Sequence, residues 1–97
     1  MPDSQVTAGL ADLGKDGAAV VAKVTAGQDA SHDVDEMNEK WESIEGTIRK
    51  NDAALYLDFE DGLANLRNAV KAKKAAAAAT AVAAFGKTAA QYLAKHP

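Results

Sequence analysis

Glu42, Glu45, Asp58, Glu60 and Asp61 flank an apolar stripe in the stretch WESIEGTIRKNDAALYLDFED, Trp41 to Asp61. Two glutamates on facing helices of a bundle supply the hard oxygen ligands that iron and similar cations accept, and the Tyr56 phenol stands one turn before Glu60. The same acids also have a plainer use. Glu45 precedes Arg49 by four residues, the favourable order for an ion pair along a helix. Glu60 then shares that guanidinium or is solvated, and Glu42, Asp58 and Asp61 face water. Exposed pairs of this kind contribute about 0–1 kcal/mol. Which use applies depends on the elements that carry the acids.

Those elements are helices. In the segment from Val34 to Ile48, Val34, Met37, Trp41, Ile44 and Ile48 alternate three- and four-residue steps, the period of one helix face. Tyr56, Phe59, Leu63, Leu66 and Val70 repeat the pattern after a turn expected at Lys50-Asn51-Asp52, with Asn51 in a left-handed closing position and Asp52 as N-cap. With Trp41 and Tyr56 at heptad position a, Glu45 and Glu60 both fall at e. In an antiparallel hairpin they flank the same side of the seam.

An earlier stripe, Val6, Leu10, Leu13, Gly17, Val20 and Val24, predicts a first helix, capped by Asp3 and stopped by Gly27. Gly9, Gly14 and Gly17 are read there as points of close packing. Ser31 or Asp33 is expected to cap the second helix, Asp33 forming a capping box with Glu36. Beyond Val70 the sequence VKAKKAAAAATAV has no Gly, Pro or Asn. At ~100° per residue, Leu66 to Val82 is a rotation of about 160°, so one straight helix would turn its halves to opposite sides. A break is therefore expected near Lys71–Ala75. The alternative is one long helix from Asp52 to Lys95 feeding a dimer. The expected fold is all-α, a single domain over residues 1–97 forming an up-down-up-down four-helix bundle.

Composition excludes several classes. A chain of 97 residues buries only about 60–65% of its unfolded surface, and its five aromatics, Trp41, Tyr56, Phe59, Phe85 and Tyr92, must supply much of the core. Without cysteine there are no disulfides or thiolate metal sites. No apolar run of about 18 residues predicts direct membrane insertion, and no signal peptide is expected in this chain. The net charge of −3 divides into −1 over residues 1–26, −5 over 27–52 and +3 over 53–97, with no concentrated basic face for nucleic acid. The chain has no Gly-x-Ser-x-Gly, phosphate-binding glycine loop or paired histidines, so no enzyme activity is expected. His32, with Asp35 and Glu36 three and four residues on, is either a weak surface metal site (His32 and Glu36) or a solvated helix start. His96 is expected at a frayed end with no role.

The pattern Glu45-x-x-Ile48-Arg49-x-x-Asp52-x-x-x-Tyr56-x-x-x-Glu60, with Trp41 four residues upstream, resembles the extracytoplasmic helical segment that precedes the membrane part of bacterial high-affinity iron permeases. The likeness is strongest over Trp41–Leu66 and extends loosely to Gln91-Tyr92-Leu93-Ala94. It implies an extracytoplasmic (periplasmic or secreted) helical module of an iron-uptake system, contacting iron or another divalent metal, or a partner such as a membrane permease. Glu45 and Glu60 would be the ligands, with Glu42 and Tyr56 in support. The permease's Arg-Glu-x-x-Glu membrane motif is absent, which excludes transport by this chain, and Ala53 stands where a proline often follows the turn. A weaker likeness is to the small secreted helical-hairpin proteins of type VII secretion. Here, however, Trp41-Glu42-Ser43 falls inside a helix, and no acid follows Tyr92. The alternative to iron uptake is a metal-free structural or interaction protein, monomeric or homodimeric through the alanine-rich last helix.

Overall fold

The computed structural model describes residues 3–96, apart from the Asp3 side chain. Four helices occupy them: α1 (Asp3–Thr25), α2 (Ser31–Asn51), α3 (Ala53–Lys71) and α4 (Ala75–Lys95). No strand occurs among the described residues. Each helix packs on two others, α1 on α2 and α4, and α3 on α2 and α4, so the four close a ring around one core. The long dimension of 37 Å is close to the length of a single helix of this size, roughly 32 Å at 1.5 Å per residue.

The stripes become the core. Val6, Leu10, Leu13 and Val20 of α1 are buried, as are all five stripe residues of α2. On α3, Phe59, Leu63, Leu66 and Val70 are buried, but Tyr56 is half-buried and Leu55 takes the interior position beside it. Val24 also stops at the core edge. α4 contributes Ala78, Ala81, Phe85, Thr88 and Tyr92. Phe59 is the hub. Its ring meets Trp41 at 5.1 Å, Phe85 at 5.0 Å and Tyr92 at 6.3 Å between centroids, within the range where tilted and edge-on aromatic pairs attract.

Two of the three α1 glycines mark close approach. A Cβ at Gly9 would lie 3.1 Å from Ile44 Cγ2, and one at Gly17 would lie 3.1 Å from Val82 Cγ1. Gly14 has nothing within 4 Å, so close packing does not account for it.

The connections differ in detail from their expected form. Gly27 ends α1 as expected, at φ 75°, with Gln28 N–H donating to Lys23 O and Gly27 N–H to Val24 O, the paired bonds of a Schellman motif. The break between α3 and α4 falls at residues 72–74, where the sequence placed it. It uses the same motif with Lys73 in the left-handed position at φ 57°: Lys74 N–H donates to Ala69 O and Lys73 N–H to Val70 O. The start of α2 is a correction. The helix begins at Ser31 behind Ala30, with no side-chain cap. Asp29 instead accepts from Ser31 N–H and Oγ, and Asp33 is drawn away to Lys23 of α1 at 2.6 Å, so no capping box forms. The second turn is also shorter than expected. Asn51 is still helical, and only Asp52 separates α2 from α3, its Oδ1 accepting from Leu55 N–H at 3.1 Å. The expected Asp3 cap lies outside the described residues.

Candidate functional site

The α2–α3 seam places the candidate acids. Trp41 faces the core from α2, and its ring stacks on Tyr56 of α3 with centroids 6.1 Å apart and planes 20° apart. A buried indole N–H needs an acceptor. Trp41 Nε1 finds one across the seam, donating to Glu60 Oε2 at 3.0 Å. The Tyr56 hydroxyl, one turn before Glu60 on the same helix, donates to Oε1 at 2.9 Å. Both oxygens of this half-buried carboxylate thus accept from neutral aromatic donors. Among the described residues no Lys, Arg or His nitrogen pairs with it.

The charge of Glu45 also acts on this phenol. The Tyr56 hydroxyl is held above its usual ionisation range, first by its hydrogen bond to Glu60, then by burial and by the negative charges of Glu60 and Glu45. Arg49 opposes this shift. The Glu45 charge thus acts on the phenol that Glu60 holds. The expected Glu45–Arg49 ion pair is not formed. The Arg49 guanidinium lies instead over the Tyr56 ring, 5.8 Å from its centroid, within the distance at which the ring face attracts a cation.

The other acids stand apart. Glu42 is exposed and forms no hydrogen bond or ion pair among the described residues. Asp58 and Asp61 line a shallow groove between α3 and α4 with Lys87 and Gln91. His32 Nε2 does meet Glu36 Oε1, at 2.8 Å, but both side chains are largely exposed. Among the described residues no three His, Cys, Asp or Glu side chains converge as a metal group. The donor set at the seam is two carboxylates and a phenol, oxygen chemistry suited to a hard cation. The raised phenol favours its protonated form, so the carboxylates would carry the contact.

In the sequence Trp41 reads as a core residue of the α2 stripe. Its indole nitrogen was the signal that an acceptor must lie level with it on α3, and Glu60 sits at that level. The bonds that join α1 to α2 have no signal in the apolar stripes. Asp16 accepts from Lys40 Nζ at 2.6 Å, and this hydrogen bond raises the ionisation range of the Lys40 ammonium. At the other end of the hairpin, His96 is not idle. It reaches Asp52 and lies tilted against the Tyr92 ring. No helix among the described residues is long and apolar enough to cross a membrane. Comparison of the chain with protein-family models, curated proteins and solved structures finds no match.

Proposed function

We propose that this chain is a non-catalytic, extracytoplasmic helical module of a bacterial iron-uptake system. In this reading its helices run up-down-up-down. That order is supported by cross-helix pairs whose numbers fall on one helix as they rise on the next, such as Asp16–Lys40 and Lys23–Asp33. The edge formed by Glu45, Tyr56 and Glu60 contacts iron as cargo, or a membrane permease or other uptake protein, with Glu42 as an outlying acid. The observation that carries the reading is Glu60. Its carboxylate is fixed by two neutral donors and matched by no basic side chain among the described residues, so its negative charge is held in place and not cancelled. Glu45 adds a second negative charge that acts on the same phenol. A weak, open contact of this kind suits cargo that must be released.

Calorimetric titration of the protein with ferrous iron in the absence of oxygen tests this. Binding heat that disappears in the Glu45→Gln/Glu60→Gln double variant is the expected result. Equal heats in the two proteins would remove the cation reading. The glutamines keep shape and one acceptor oxygen while deleting charge.

A second reading is favoured by the same hydrogen bonds seen from the other side. Glu60 already satisfies an indole and a phenol, a sufficient structural reason for its presence. In that reading the protein is a metal-free structural or interaction module, monomeric or dimeric through the alanine-rich α4. Sedimentation velocity over a hundredfold concentration range distinguishes the two oligomeric forms, and a constant sedimentation coefficient at the monomer value would exclude the dimer.

A further inference from the structure

The last turn of α4 is tied to the joint between α2 and α3 by side chains that the cation reading does not use. Tyr92 is buried, and its hydroxyl accepts a hydrogen bond from Asn51 Nδ2 at 3.0 Å. One turn further on, the His96 ring lies against the Tyr92 ring with centroids 4.7 Å apart. His96 Nε2 stands 3.3 Å from Asp52 Oδ2, with the two side chains 30% and 15% exposed. Asp52 commits its other oxygen to the Leu55 N–H that opens α3. A single carboxylate therefore caps one helix and holds the end of another. It does so from the only non-helical position between α2 and α3.

We propose that His96 is a proton-operated latch, holding the last turn of α4 against the α2–α3 joint while its ring is charged and loosening it when the ring is neutral. An ordinary imidazole changes charge near pH 6.5. When protonated, the ring faces the Asp52 carboxylate as an ion pair, and partial exclusion of water strengthens that attraction. When neutral, it offers at most one ring N–H to the carboxylate. Asp52 stays ionised across this range. Its carboxyl is held below the usual carboxylate range, first by the Leu55 N–H and further by His96 and Lys95.

The surrounding charges set the direction. Lys95 adjoins His96 on α4, and Arg49 and Lys50 occupy the last turn of α2. The first turn of α3 carries no acid. Among the described side chains, Asp52 is the carboxylate paired with the ring, against these cations. The tie is therefore tighter at pH 5.5 than at pH 7.5.

Amide hydrogen exchange tests the latch, with rates corrected for the intrinsic pH dependence of exchange. Protection of the amides from Tyr92 to His96 should be roughly two- to five-fold greater at pH 5.5 than at pH 7.5, the factor an exposed ion pair supplies. Asp52→Asn keeps an N-cap side chain and removes the charge, and His96→Gln removes the titrating ring. Both variants should show the same protection at the two pH values. Equal protection in the unmodified protein, or an undiminished pH dependence in Asp52→Asn, would overturn the proposal.

Discussion

Glu60 couples its charge to the Tyr56 phenol, and that coupling can be measured without any ligand. The hydrogen bond to Glu60 is the leading cause of the raised ionisation range of Tyr56. Replacing Glu60 with Gln keeps an acceptor and removes the charge, so the phenol should ionise closer to its ordinary value of about 10. Ultraviolet absorbance followed through an alkaline titration reads this directly, and an unchanged Tyr56 transition would mean that the carboxylate does not control it. The sign for stability is fixed by the same shift. The folded value lies above the unfolded one, so the stabilising contribution is complete below about pH 10 and is lost as pH rises through the folded value. Arg49 works against this effect, because its guanidinium sits over the ring.

At the scale of elements, the turns explain why some of the fold was legible and some was not. The α3–α4 break could be inferred, although nothing in VKAKKAAAAATAV forbids helix, because the apolar stripe changes face between Leu66 and Phe85. The motif that makes the break could not, because Lys73 has no composition signal for the left-handed region it occupies. An L side chain there costs on the order of 1 kcal/mol that glycine does not incur. Lys73→Gly should therefore raise the thermal midpoint by several degrees, given that about 1 kcal/mol moves a domain of this size by roughly 4–8 °C. A lowered midpoint on differential scanning calorimetry would contradict the assigned turn geometry. The start of α2 was misplaced for a different reason. Ser31 and Asp33 both have cap chemistry, and the outcome was decided by partners distant in sequence or outside the helix, Lys23 for Asp33 and Asp29 for Ser31. The pairing of Glu45 with Arg49 failed in the same way, since the Tyr56 ring competes for the guanidinium.

For the molecule as a whole, stability is concentrated in few side chains. A domain of this length is expected to be stable by about 5–15 kcal/mol. Its aromatic residues meet at Phe59, which is fully buried between Trp41, Phe85 and Tyr92. Truncation of a buried phenylalanine to alanine typically costs about 3–5 kcal/mol. Phe59→Ala should consume much of the total and lower the urea midpoint accordingly. A midpoint within experimental error of the unmodified protein would show that the core closes over the gap. The candidate site shares this centre, because Trp41 belongs both to the aromatic cluster and to the carboxylate contact. Core damage at Phe59 is therefore expected to disturb Glu60 as well, whereas substitutions on the exposed side of α4 should leave it in place.

The chain has a single tryptophan, and its indole nitrogen bonds directly to the candidate carboxylate. The energy of the excited indole depends on the charge beside it, so the fluorescence of Trp41 is an intrinsic reporter of whatever happens at Glu60. Drawing a cation to that carboxylate, neutralising it or turning it away would each alter the colour or intensity of the emission, with no label attached.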